Sequence, residues 1–347
     1  MKSIAYLAMD LHVNRSFLGR MDYNGKFLGN QSFSTTEVDI KKALQAVKEK
    51  KKYLTFEEGT LAGWVAQVAR PYVTEVIIAD PRENALIYKS NNKRDKVDTR
   101  KLCRLLRLGE LNHVYHPEDD KRAIFKASVQ QYIDIRNQQV ALKQKIKSMY
   151  RQWGVINING ESVYTKDYRH KYLDQVKHQS VRNQLELLYT IMDTTEEMQE
   201  CAKKNMKQLG REYPEIKEFM KIPGIGDIGA HTYDAFIQTP HRFPNKKKVW
   251  RYCRLGIVDK SSDGKPLGYK RLDRSGVSEL KAISYRAWMS AMKNDNEVKR
   301  FYLKSLQKTY SRVHARLNTQ RKILSVMYGI WKRGEPYRPE LFLDSPK

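Results

Sequence analysis

Residues 3–33 read SIAYLAMDLHVNRSFLGRMDYNGKFLGNQSF. Apolar and polar residues alternate through Ser3–Met9, Ser16–Tyr23 and Lys26–Phe33, which predicts three β-strands. Asn24-Gly25 lies between the last two and is a strong two-residue hairpin signal, because both residues tolerate positive φ. Working outward, Thr35 or Thr36 can cap a helix reaching about Lys50. A short strand at Tyr53–Glu57, a helix at Ala62–Arg70 and a strand at Thr74–Ala79 follow. A helical pattern broken at Asn91-Asn92 resumes over about Val97–Leu108. The order β-β-β-α-β-α-β-α predicts a mixed sheet with helices against its faces, an α/β domain over residues 1–120.

The 347 residues suffice for two or three domains. A hydrophobic content of 40% excludes an intrinsically disordered chain. The formal net charge of +26 points to a polyanionic partner, nucleic acid first. It is unevenly spread: +10 over residues 1–150, −2 over 151–200 and +18 over 201–347. Cys103, Cys201 and Cys253 are far apart, which excludes a disulfide framework or a Cys-rich zinc site and suits a reducing cytosol. No apolar run approaches the ~18 residues of a membrane span, and the first acid, Asp10, comes too early for a signal peptide. The expectation is a cytoplasmic protein without a membrane partner.

From about Arg122 the pattern is helical. Val181, Leu185, Leu188, Met192, Thr195, Ala202, Met206 and Leu209 follow a 4-3 spacing that only Gln199 interrupts. With a partner helix at Ala123–Met149, this predicts a helical hairpin or coiled-coil spacer, residues 121–213, able to mediate self-association. The polar stretch Gly154–Asp167 would connect the two helices. Residues 214–347 predict an α-helical domain. It opens with Ile222-Pro223-Gly224-Ile225-Gly226, a helix-hairpin-helix signature in which Gly224 and Gly226 let backbone N–H groups approach a phosphate. Lys246, Lys247 and Lys248 start the next helix. A Gly/Ser/Lys-rich loop spans Asp259–Ser275, and helices follow at Ser278–Met292 and Glu297–Tyr328.

The carboxylates carry the chemistry. Asp10 ends the first strand, and Glu57 and Glu58 end the strand YLTFEE. Asp95 and Asp98 follow Lys93 and Arg94 into a helix, and a spacing of three puts them on one face. If the strand ends share a sheet edge, Asp10, one glutamate, Asp95 and Asp98 can converge. Clustered carboxylates repel unless cations neutralise them, and an all-oxygen set suits Mg²⁺ or Mn²⁺. Two such ions about 3.5–4 Å apart can polarise a phosphodiester. His12, two residues beyond Asp10, is on the same side of an extended chain and can touch this site or support it. No HExxH spacing appears.

LAMDLH, FEEGT, NNKRDKVDTRKL, IPGIGDIGA, RFPNKKKVWRYCRLGI and YGIWKRGEPY, in this order, resemble the DEDD-type transposases of insertion sequences, the bridge-RNA-guided recombinases. The resemblance implies a RuvC-like, ribonuclease-H-like first domain whose acids, here Asp10, Glu57, Asp95 and Asp98, bind Mg²⁺. Glu57 is preferred to Glu58 because the family's glutamate directly follows the strand's last apolar residue, here Phe56. It further implies a nucleophilic serine in the last domain. Ser262 is the first candidate, with Ser261 and Ser275 as alternatives; the chain departs from the family's Leu-Gly-Leu-Thr-Pro…Ser-Gly pattern at Asp259 and Asp263. Lys93, Arg94, Gly224, Gly226, Lys246, Lys247, Lys248, Lys260, Lys265, Arg271 and Arg274 would contact nucleic acid. The implied partners are donor and target DNA, a structured non-coding bridge RNA, and further copies of the chain as a dimer or tetramer. The competing readings are a metal-dependent junction-resolving nuclease without a covalent intermediate, and a nucleic-acid-binding protein with a dead site.

Overall fold

The computed structural model describes residues 3–81, 95–117, 120–262 and 265–343. The chain forms two compact units, Met1–Glu118 and Asp119–Lys347. Lys93 and Arg94 are outside the described residues, as are the side chains of Asp95, Asp98, Lys260, Ser261, Ser262 and Lys265.

The first unit is built on one sheet. Strands β1 (Ile4–Asp10), β2 (Arg15–Asp22), β3 (Phe27–Ser34), β4 (Lys51–Glu57) and β5 (Glu75–Ala79) take the order β3-β2-β1-β4-β5. The meander pairs antiparallel, whereas β1–β4 and β4–β5 pair parallel. The mixed sheet expected from the sequence is therefore present. Helix α1 (Glu37–Gln45) starts at Thr36, whose hydroxyl accepts from the Asp39 N–H. It stops short of the Lys50 expected, because β4 is already paired with β1 at Lys51.

The pleat decides what faces what. Ala5, Leu7, Met9, Leu54 and Phe56 point to one face and pack with Ile40 and Leu44 of α1 and with Val65 and Ala66 of α2 (Ala62–Ala69). Ala8 points the other way, to Leu102 and Cys103 of α3 (Asp95–Leu108). Gly19, opposite Ala8, makes this close: a Cβ there would be 2.8 Å from the Thr99 Cβ. The Asp10 and Glu57 positions, each in step with the α3-facing residues of its strand, fall on the same face as α3.

In the second unit, α4 (Asp120–Gln152) and α6 (Gln179–Gly210) form an antiparallel pair, with the short helix α5 (Arg169–Leu173) between them. Contacts Asn205–Ser128 (3.3 Å), Gln199–Tyr132 (3.5 Å) and Tyr189–Tyr150 (3.1 Å) fix its direction. Val181, Leu185, Leu188, Met192, Thr195, Ala202 and Met206, the heptad positions, are buried within this chain. The polar connection is more than a linker, since Val155, Ile158, Val163 and Tyr164 pack on the end of the hairpin.

The remainder is α7 (Glu215–Met220), α8 (Asp227–Ile237), α9 (Lys246–Tyr252), β6 (Ile257–Ser262), β7 (Lys265–Leu272), α10 (Ser278–Ala291), α11 (Glu297–Thr309), α12 (Arg312–Arg333) and α13 (Glu340–Leu343). Two expectations are corrected. The segment read as a loop is largely a β-hairpin, with Ile257 opposite Leu272 and Ser262 opposite Lys265, so this part is not all-helical. The two residues separating its strands, Asp263-Gly264, are themselves a hairpin signal that the Gly/Ser/Lys composition outweighed. The long last helix is two: Tyr310 adopts a left-handed φ of 50° and Ser311 caps α12 by accepting from the His314 N–H.

Candidate active-site cleft and nucleic-acid interface

Met9 of β1 is directly opposite Phe56 of β4, so the next residues, Asp10 and Glu57, end neighbouring parallel strands at one sheet edge. Both line a cleft of ≈ 360 Å³ with His12, Glu58, Gly59 and Leu102. His12 Nε2 is 3.2 Å from Asp10 Oδ2, and its ring meets Phe17 edge-on. The histidine therefore touches the candidate ligand itself. Glu58 behaves differently from Glu57: its Oε2 is 2.5 Å from His116 Nε2. Sequence reading did not connect this pair, since 58 positions separate the two residues and only the fold brings them together.

Helix α3 runs against β1. Thr99 is beside Gly19, opposite Ala8; the Cys103 thiol is 3.4 Å from the Tyr6 carbonyl; Arg107 Nε donates to Tyr23 O at 3.0 Å. One turn back from Thr99 is about 6 Å along a helix, and two residues on from Ala8 is about 6.6 Å along a strand. The helix therefore runs antiparallel to β1, and its first turn, which holds positions 95 and 98, leads toward the Asp10 end of that strand. Positions 95, 98 and 102 share a helix face by spacing, and Leu102 lines the cleft. Among the described residues, no three His, Cys, Asp or Glu side chains form a metal-holding group.

The second unit carries the basic surface. Asn245 caps α9 by accepting from the N–H groups of Lys247 and Lys248, leaving Lys246, Lys247 and Lys248 exposed on the first turn. Cations there oppose the helix macrodipole, so they add no stability to this short helix. Arg271 and Arg274 are also exposed.

Gly224 and Gly226 differ. Gly224 has φ +89°, and a Cβ there would meet the Ala287 carbonyl oxygen at 2.1 Å, so packing against α10 already accounts for this glycine. Gly226, at the start of α8, faces open space. The adjoining first-turn Asp227 is paired with Lys207 Nζ at 2.7 Å.

Of the serine candidates, Ser262 is the last residue of β6, at the end of the hairpin, and Ser261 precedes it. Ser275 has a structural task. Its N–H donates to Asp273 Oδ1 at 2.8 Å. The hydrogen bonds from Ser275 hold the Asp273 carboxyl below its usual range, with Arg251 adding to the effect.

Residues 216–303 match the model of a family described as Transposase IS116/IS110/IS902 family. The match covers the helical hairpin at Gly224, the lysine turn and the β6–β7 hairpin, and it supports reading the chain as an insertion-sequence transposase that acts on DNA. No curated protein matches the chain. No helix among the described residues is long and apolar enough to cross a membrane.

Proposed function

We propose that the chain is an RNA-guided DNA transposase that cuts, exchanges and rejoins strands with Mg²⁺-binding acids and a serine nucleophile. The observation that supports the metal-binding part of this reading is the position of Asp10 and Glu57 at adjoining strand ends in one cleft, which Leu102 of α3 also lines. The donors are all carboxylate oxygens, which suits Mg²⁺, with Mn²⁺ as a substitute. Asp10, Glu57, Asp95 and Asp98 would hold the metal, which when bound would supply Lewis-acid polarisation of the phosphodiester.

The Ser262 hydroxyl loses its proton and forms an O–P bond to a DNA phosphate. The P–O bond to the adjoining sugar breaks, and the departing oxygen takes up a proton. The phosphoserine ester conserves the bond energy, so a second DNA hydroxyl reverses the step and rejoins the strands. Lys260, Lys265, Arg271 and Arg274 are positioned in sequence to neutralise charge on the pentacoordinate phosphorus.

Sequence choice would fall to base pairing by a structured RNA, while the protein reads backbone and shape. The +26 charge suits contact with a nucleic-acid backbone. Self-association is part of the proposal. The heptad read from the sequence is consumed inside the chain, but α6 carries a second 4-3 stripe with Leu187 (65%), Ile191 (52%) and Met198 (56%) exposed. Such a stripe can pair with another copy, which sedimentation of the wild-type protein would measure.

The test uses protein, the element's RNA, labelled donor DNA and Mg²⁺, stopped in detergent and run on a denaturing gel. A protein–DNA adduct lost in Ser262→Ala and kept in Ser275→Ala is the expected result. Free cleaved DNA without an adduct, unchanged in both variants, would replace this reading with the metal-dependent nuclease. Binding without cutting would leave a dead-site binding protein.

A further inference from the structure

The second unit contains a cavity of ≈ 750 Å³ among α9, α11, α12 and α13, within the size range of about 300–1,000 Å³ typical of ligand sites. Its lining includes the rings of Trp250, Phe301 and Tyr328 and the cations Lys246, Arg321, Lys322 and Arg333, the last paired with Glu335, and among the described residues no carboxylate lines it. Arg321 is fixed from behind, its Nε donating to Leu255 O at 2.9 Å. No carboxylate among the described residues forms an ion pair with it, and burial draws its guanidinium below the usual range. Trp250 is held in place by donating Nε1–H to Ser325 Oγ at 2.9 Å and to the Arg321 carbonyl at 3.2 Å. Lys246 and Trp250 are one turn apart on α9, so the exposed lysine turn leads directly to the cavity rim.

A duplex backbone needs only an exposed basic face. A small anion needs no aromatic walls. Aromatic rings beside a half-buried guanidinium without a carboxylate partner match a base and its own phosphate together. We infer that this cavity receives one unpaired nucleotide of a nucleic-acid strand, its base against Trp250 and Phe301 and its phosphate on Arg321 and Lys246. The inference rests on the nucleic-acid-binding part of the proposed function and deepens it.

The full-length protein is titrated into labelled eight-nucleotide RNA, the same DNA sequence single-stranded, and a blunt duplex of it, following anisotropy. Two variants test the cavity. Arg321→Gln removes the cation. Gly329→Leu fills the space without changing charge; Gly329 lines the cavity on α12, and its nearest obstacle is the flexible end of Arg333 at 3.2 Å. Arg312→Gln, on the same helix but not lining the cavity, is the charge control. The expected result is about tenfold weaker single-strand binding in both cavity variants, equal to about 1.4 kcal/mol. Duplex binding and the Arg312→Gln control should be unchanged, with equal melting temperatures. Stronger binding of the RNA or of the single-stranded DNA identifies which strand supplies the nucleotide. Wild-type single-strand affinity in a folded Gly329→Leu protein overturns the inference and leaves the transposase reading intact. Failure of the wild type to bind any of the three probes overturns both.

Discussion

Glu57 and Glu58 are chain neighbours that line one cleft but differ in what holds them. Glu57 follows a buried Phe56 and ends its strand beside Asp10, whereas Glu58 is tied to His116. In the proposed reaction Asp10→Asn and Glu57→Gln should each lower DNA cleavage by about 10²-fold or more, the scale of losing one charge-stabilising group. Glu58→Gln should keep most of the activity, and all three should melt like the wild type. Cleavage and melting curves on the same preparations check this. A second residue-scale outcome concerns Gly224. An alanine there incurs about 1–2 kcal/mol for left-handed backbone and also collides with the Ala287 carbonyl. Gly224→Ala should therefore shift the urea midpoint down measurably through packing alone. The sequence marked both glycines for a phosphate. It could not separate them, because the Ala287 carbonyl that occupies the space at Gly224 comes from a helix more than 60 residues away.

Among the elements, the α4–α6 hairpin was the most legible, since a 4-3 spacing over seven buried positions states which face is covered. It also named the partner helix, Ala123–Met149, and left open only whether another copy of the chain shares the seam. The seam closes on α4 of the same chain, and the Arg169–Asp193 pair, with Asp193 Oδ2 at 2.7 Å from the guanidinium, helps hold α5 and the connection on α6. The hydrogen bond from Arg169 holds the Asp193 carboxyl below its ordinary value of 3.8. A depressed carboxyl stabilises the fold above the unfolded value and loses that contribution as pH falls through the folded one. Asp193→Asn should therefore be less stable than wild type at neutral pH. The difference should shrink as pH falls below 3.8, which acid titration of the helical signal would show. The β6–β7 hairpin was missed for a physical reason. Its strands, IVDKSS and KPLGYKRL, hold Asp, Ser, Lys, Pro and Gly in place of a clean apolar alternation, so composition spoke for a loop while cross-strand pairing made a ladder.

Taken over all 347 residues, the charge excess is a statement about partners rather than fold. Lys246, Lys247 and Lys248 are an exposed cluster on the first turn of α9, in the unit holding the +18 excess. Replacing all three by glutamine should flatten the dependence of log affinity on log salt by about 0.7–0.9 for each phosphate no longer neutralised, with little effect on melting. Anisotropy titrations at several salt concentrations read this directly. The element order of the first unit, the mixed character of its sheet, the polyanion partner and the candidate acids could all be read along the chain. They depend on local patterning and on total charge, and both are properties of the linear order of residues. Folding was needed to bring Asp10 and Glu57 into one cleft and to lay α3 along it, with Leu102 in its lining. Folding also assigned Glu58 to His116, spent the heptad seam within one chain and placed Arg321 in an aromatic cavity. Each is a meeting of residues distant in sequence, fixed by strand register and helix packing, which no local pattern encodes.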